Sequence, residues 1–317
     1  MLLQIMLFFA GLAGLYFGAE WLVKGASRFA RSFNIKPVVI GLTIVAFGTS
    51  TPELVTSVIA GIRHLSDIAM GNIIGSNIAN IGLILGLSAL VRPLSVDMKL
   101  LYREMPIMVG ISGLLYFLGW DGTLSRLEGG ILLGGIFVYT CYVYRVALKE
   151  PKTVEQEYLE FEEFIGAARD SIKKDILLII IGLGALIGGA HFLVHSAIYI
   201  ARVIGISELV IGLTVIAVGT SLPELATSMI AAIRKESDIS VGNVLGSNIF
   251  NILSVLGFAA VIQPLQVNAA SLVVDMPVML LFSIFLIPLI TWKFVLTRGQ
   301  GFLLLIGYGI YILWLFK

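Results

Sequence analysis

AFGTSTPELVTS, residues 46–57, sets a glycine, several hydroxyls, a proline and a carboxylate inside an apolar run, and it recurs as AVGTSLPELATS, residues 217–228. Outward from this core the copy extends over IGLTIVAFGTSTPELVTSVIAGIRHLSDIAMGNIIGSNIANI, from Ile40, and IGLTVIAVGTSLPELATSMIAAIRKESDISVGNVLGSNIFNI, from Ile211, with about two thirds of the positions identical and no gap. Shared hydrophobicity does not produce that identity. The offset is 224 − 53 = 171, and it also pairs Leu22-Val23 with Leu193-Val194, Arg31 with Arg202, and Glu104-Met105-Pro106 with Asp275-Met276-Pro277. A duplication kept only for folding would preserve apolar spacing. Here the polar residues repeat as faithfully as the apolar ones.

The chain around the repeat is 58% hydrophobic and 13% charged over 317 residues, with a mean hydropathy of +1.00, which places it in a membrane. It divides into ten apolar segments, near 3–23, 37–62, 68–91, 104–120, 128–147, 175–201, 208–233, 239–263, 274–292 and 299–316. Each is long enough to cross roughly 30 Å of hydrocarbon as a helix. The predicted fold is an all-α integral membrane protein with ten transmembrane helices. The N-terminal run lacks a basic leader and reads as the first span rather than a cleaved signal.

An alternating topology puts all but Arg63, Arg126, Arg202 and Lys317 of the 21 Lys and Arg residues on one side. By the positive-inside rule that side is cytoplasmic and both termini face out. Five spans per repeat is an odd number, so the second copy enters the membrane from the opposite face. The expected organisation is a first five-helix repeat over 1–148, a cytoplasmic linker over 149–174, and a second, inverted repeat over 175–317. The linker is too polar and short to hold a core of its own. Cys141 stands alone, so no intrachain disulfide or cysteine metal site is expected.

Glu53 and Glu224 fall near the middles of the second and seventh segments, where an acid costs roughly 3 kcal/mol on an insertion scale. Interhelical glue would account for one such acid. Two in repeat register, each four residues after a threonine, point to function. Thr49 with Glu53, and Thr220 with Glu224, share a helical face. Pro52 and Pro223 have no N–H, so the carbonyls four residues earlier lose a donor and become available oxygens. The third and eighth segments add GNIIGSNIANI and GNVLGSNIFNI, in which Ser76 with Asn80 and Ser247 with Asn251 repeat the spacing, while Gly75 and Gly246 permit a bend or the close approach of a neighbouring helix. Carboxylate, hydroxyl, amide and backbone oxygens make a hard donor set. It suits calcium, with sodium as a second cation of the same preference.

GTSTPEL and GTSLPEL, each followed by G-N-x-x-G-S-N-x-x-N, closely resemble the two alpha repeats of the sodium/calcium exchanger branch of the calcium/cation antiporter superfamily, in its prokaryotic form. The resemblance covers the whole ten-span layout. It implies exchange of Na+ for Ca2+ in the plasma membrane, with the ions as substrates, no cofactor, no nucleic-acid partner and a monomer as the functional unit. By motif position it implies a central calcium site from the carboxylates of Glu53 and Glu224 and the backbone oxygens of Thr49 and Thr220. Flanking sodium sites would use Ala46, Thr49, Ser76 and Glu53 on one side and Ala217, Thr220, Ser247 and Glu224 on the other. Ser50 and Ser221 join the ligand set, and Asn80 and Asn251 line the middle. Some prokaryotic exchangers and the potassium-dependent branch carry an aspartate where this chain has Asn251, which argues against potassium dependence.

Three competitors remain at this point. Proton/calcium exchange is the alternative within the superfamily. A cation channel would place its acids around an oligomer axis. An intramembrane enzyme lacks both a histidine partner close to the acids and a cofactor motif. Glu20 and His191 occupy equivalent positions in the first and sixth segments, and His191, with His195 one turn on, is read as an interface residue in preference to a pH sensor. Glu104 and Asp275 are read as helix-start acids beside prolines.

Overall fold

The computed structural model describes residues 2–33, 35–149, 172–204, 219–291 and 293–315. Among them the helices are α1 (Leu2–Ser32), α2 (Pro37–Thr49), α3 (Thr51–Ile62), α4 (Ser66–Val91), α5 (Met105–Leu118), α6 (Arg126–Lys149), α7 (Ile172–Val203), α8 (Leu222–Ile233), α9 (Ser237–Ile262), α10 (Ser271–Thr291) and α11 (Arg298–Leu315). Seven are long and apolar enough to cross a bilayer, and α2 with α3, bent by 45° at Ser50, makes an eighth span. The chain is an all-helical, multi-pass membrane protein. Most of the 149–174 linker and the first half of the seventh segment lie outside the described residues.

Two packing layers follow from the pattern of small residues. α1 and α7 lie against each other through glycines, which bring the backbones close: a Cβ on Gly18 would stand 2.7 Å from the Leu186 amide nitrogen, and one on Gly182 2.6 Å from that of Leu22. Leu15, Ala19, Leu22, Leu186 and Ala190 belong to the small core of this layer. The other spans enclose a larger core, to which α4 contributes Ile73, Ile78 and Leu85 and α9 contributes Leu245, Ile249 and Leu256. α4 and α9 are the most buried spans, which explains why their polar residues can only meet other protein groups.

The two copies exchange equivalent contacts. Short antiparallel pairs join β1 (Leu94–Ser95) to β4 (Val295–Leu296) and β2 (Thr123–Leu124) to β3 (Leu265–Gln266). Leu94 opposes Leu296, while its counterpart Leu265 opposes Leu124. His64 (φ 59°) and Lys235 (φ 70°) take left-handed conformations in the matching turns after α3 and α8. The Ser125–Glu128 and Thr297–Gln300 capping pairs start α6 and α11 in the same way.

Glu104 and Asp275 differ from the helix-start reading. Wide π-type turns, Leu100–Glu104 and Ser271–Asp275, extend these helices backwards, so the acids are not at the start. Their partners are tyrosines instead: Tyr139 donates to Glu104 and Tyr311 to Asp275, each at 3.0 Å. The acids therefore tie α5 to α6 and α10 to α11.

Candidate ion site

The breaker in each motif restarts a helix. Ser50 (φ −81°, ψ 6°) and Ser221 (φ −87°, ψ 6°) step out of helical geometry, and Pro52 and Pro223 then occupy the first turns of α3 and α8, where a missing N–H costs nothing. Glu53 and Glu224 follow in those same first turns, at the positive end of the helix dipole. The bend thus does two things at once: it deprives the Gly48 carbonyl of its usual donor and gives the carboxylate a favourable field.

Both glutamates are fully buried. One oxygen of each is met from the opposite repeat: Ser50 donates to Glu224 Oε1 at 3.1 Å, and the Ser221 hydroxyl lies 3.4 Å from Glu53 Oε1 and 3.2 Å from Ser76 Oγ. Thr49 stands 3.3 Å from the Ala46 carbonyl and 3.2 Å from Asn243 Oδ1. Thr220 stands 3.2 Å from Asn72 Oδ1. Ala217 lies outside the described residues. Each motif completes the other, since the hydroxyls of Thr49, Ser50, Thr220 and Ser221 each reach a residue of the opposite copy.

What is left over is a set of bare acceptors. Glu53 Oε2, Glu224 Oε2, Asn80 Oδ1, Asn251 Oδ1 and the Ser247 hydroxyl are buried without a hydrogen-bond partner. An unmet buried polar group costs about 1–3 kcal/mol, and an ionised one more. A cation bound among these oxygens would offset that cost. Among the described residues no three His, Cys, Asp or Glu side chains gather as a metal centre. Two carboxylates with neutral oxygens suit an ion that must also leave.

Several residues here escaped the sequence reading. Asn72 donates to Ser57 Oγ at 2.9 Å and to the Glu53 carbonyl at 3.4 Å, and Asn243 does the same to Ser228 at 3.0 Å and to the Glu224 carbonyl at 3.4 Å. The signal was present, because both lie in the repeated G-N, but nothing in the spacing says that they face α3 and α8. Of the two glycines read as sites of close approach only Gly246 is one: a Cβ there would stand 2.6 Å from the Leu42 carbonyl oxygen, whereas one on Gly75 would meet nothing within 4 Å.

The two ends of the site are unlike. On the α1 side, Ser27 donates to the buried Glu236 carboxylate at 3.0 Å and Glu20 pairs with Arg234, so α1 is bound to the turn between α8 and α9. On the α7 side a cleft of about 330 Å³, lined by Thr51, Pro52, Thr56, His191 and Thr220, leads to the motif. His191 is exposed in this cleft rather than packed in an interface.

The sequence pattern of the family described as sodium/calcium exchanger protein matches residues 3–145 and 174–317, nearly the whole chain. The chain belongs to the sodium/calcium exchanger family. Relatives include the sodium/calcium exchanger MaX1 of Methanosarcina acetivorans, 33% identical over 337 aligned positions that cover 96% of each protein. The inner membrane protein YrbG of Escherichia coli is 40% identical over 317 positions, covering 99% of this chain and 96% of its own. The solved structure of the sodium-calcium exchanger NCX_Mj soaked with zero Na+ and Ca2+ superposes with a TM-score of 0.86 at 35% identity, covering 99% of both chains. This member of the sodium/calcium exchanger family is accordingly a transporter and not an enzyme.

Proposed function

We propose that the chain is a secondary active antiporter that exchanges Na+ for Ca2+ by alternating access, extruding Ca2+ across the plasma membrane. The observation that carries this reading is that the matched glutamates and asparagines of the two repeats, Glu53 with Glu224 and Asn80 with Asn251, each leave a buried oxygen without a hydrogen-bond partner. Ca2+ sits between the Glu53 and Glu224 carboxylates and the backbone oxygens of Thr49 and Thr220. Na+ occupies flanking positions built from Ala46, Thr49, Ser76 and Glu53, and from Ala217, Thr220, Ser247 and Glu224. Ser50 and Ser221 steer the carboxylates, and Asn80 and Asn251 line the centre. Both ions need the same glutamates, so each must leave before the other binds.

The exchanged hydrogen bonds at an offset of 171 support two five-helix repeats of inverted topology, ten spans in all, with both termini outside and the 149–174 linker in the cytoplasm. In that orientation the cleft beside α7 opens outward and the α1 end is closed to the cytoplasm. The separately packed α1–α7 pair is the element that shifts between the two states. Calcium uptake into proteoliposomes under imposed gradients tests the proposal: a Na+ gradient is expected to drive it and a proton gradient to leave it unchanged. Uptake driven by protons would move the chain to the proton-coupled alternative, and uptake without any counter-ion gradient would make it a channel.

A further inference from the structure

We infer that Asn77 and Asn248 are positioning residues that fix which end of the Asn80 and Asn251 amides meets the transported ion. The inference rests on the ion site proposed above. An asparagine amide has two ends of nearly the same shape, an oxygen that binds a cation and an NH2 that repels one. Such a ligand is useful only if something sets its orientation, as outer partners do for metal-bound side chains.

The structure holds a chain of commitments that does this. Asn77 donates its amide NH2 to the Asn248 carbonyl at 3.2 Å, and Asn248 donates its own to the Asn77 carbonyl at 3.3 Å. A backbone carbonyl only accepts, so neither amide can turn over without facing oxygen with oxygen. The same two NH2 groups lie on the sulfurs of Met279, at 3.7 Å, and Met108, at 3.6 Å, which also only accept. The free oxygens of Asn248 and Asn77 then accept from Asn80 at 2.9 Å and from Asn251 at 3.0 Å. With their NH2 groups so held, Asn80 and Asn251 can present only Oδ1 elsewhere, and those two oxygens are the buried, unpartnered ones. The order is anchored in the backbone and ends at the ion. Asn80 and Asn251 each open a π-type turn, Asn80–Leu85 in α4 and Asn251–Leu256 in α9, a distortion frequent at functional sites.

The test is 45Ca2+ binding to purified, detergent-solubilised protein, together with the KM and kcat of Ca2+ flux. Asn248→Leu removes the acceptor that holds Asn80 and is expected to weaken Ca2+ binding and raise KM by about tenfold, the lower end for lost outer partners of a metal ligand, with kcat changed less than KM. Asn80→Asp alone sets a carboxylate oxygen against Asn248 Oδ1 and is expected to bind more weakly than wild type. Combined, Asn248→Leu with Asn80→Asp presents an oxygen whichever way the side chain turns, so the double variant is expected to bind Ca2+ more tightly than either single one. A purely structural role gives no such rescue. Unchanged affinity in a folded Asn248→Leu protein, or additive losses in the double variant, would overturn the inference. Asn77→Leu with and without Asn251→Asp repeats the test from the other copy, so a single misfolded variant does not decide it. Binding is read without any gradient, so a failure of Na+ coupling in the wild type would strike the proposed function and leave this result separately legible.

Discussion

The two ends of the candidate ion site are built from one repeated sequence and yet differ in what holds them. At the α1 end stand Glu20, Ser27, Arg234 and Glu236; at the α7 end the offset of 171 puts His191, Ile198, Arg63 and Leu65 in their places. The first set makes a hydrogen bond and an ion pair that bind α1 to the turn after α8. The second set cannot make either, and Arg63 and Leu65 are exposed. The motif around the glutamates is kept symmetric, and its hydroxyls reach the carboxylates of the opposite copy. In the proposed topology the two ends face different compartments, and a difference of a few hydrogen bonds is enough to choose the closed side.

The comparison breaks most severely if the α1–α7 pair is pushed apart. Gly18→Leu places a side chain where a Cβ already stands 2.7 Å from the Leu186 nitrogen, and it is expected to abolish Ca2+ flux and lower the yield of folded protein, checked by flux assay and size-exclusion chromatography.

A second test acts on Glu236. Burial is the largest influence on its carboxyl and pushes it up to about 7, with the Ser27 hydrogen bond pulling it down and Asp238 pushing it up. The other charged groups nearby in sequence on the packed elements are Glu20, Lys24, Arg28 and Arg31 on α1 and Arg234 and Lys235 in the turn. A raised carboxyl stabilises the docked state fully below its ordinary range and loses that stabilisation as pH rises through about 7. Acidification from about pH 8 to about pH 6 is therefore expected to favour the docked α1 by about tenfold. A cysteine at Thr56 in the open cleft, in a Cys141→Ala background, reports this as a labelling rate that rises at low pH once it is divided by the rate of a free thiol at the same pH, since only the thiolate reacts. Glu236→Gln is expected to flatten that dependence, and an unchanged pH profile in this variant would remove Glu236 from the comparison.

A third change carries the α1-end chemistry across. Leu65→Glu with Ile198→Ser is expected to draw α7 onto the turn after α3 and to slow labelling at Thr56→Cys by about fivefold, the effect of one net hydrogen bond. The smallest effect belongs to Glu20→Gln. It breaks a partly exposed pair of the kind that contributes up to about 1 kcal/mol, so labelling should change by about fivefold or less.

The repeat, the membrane setting and the paired buried glutamates were legible in the sequence because each leaves a local mark: a fixed offset, an apolar length, an acid behind a proline. Asn72 and Asn243 were not singled out, although they repeat, because their role depends on which helix faces them. The Glu104–Tyr139 and Asp275–Tyr311 bonds were hidden for the same reason, and the acids were read by the adjacent prolines instead. The unequal ends lay furthest from view. Ser27 and Glu236 are 209 residues apart, and neither has a matching residue in the other copy to draw attention to it.

The most direct test of a single site shared by both ions is Na+-gradient-driven 45Ca2+ uptake into proteoliposomes by the wild type, Glu53→Gln and Glu224→Gln, measured side by side. The expected result is strong uptake by the wild type and loss of uptake in each single variant, because removing either carboxylate unbalances a divalent cation held between the two. Normal Na+-driven uptake by either variant would contradict the shared site.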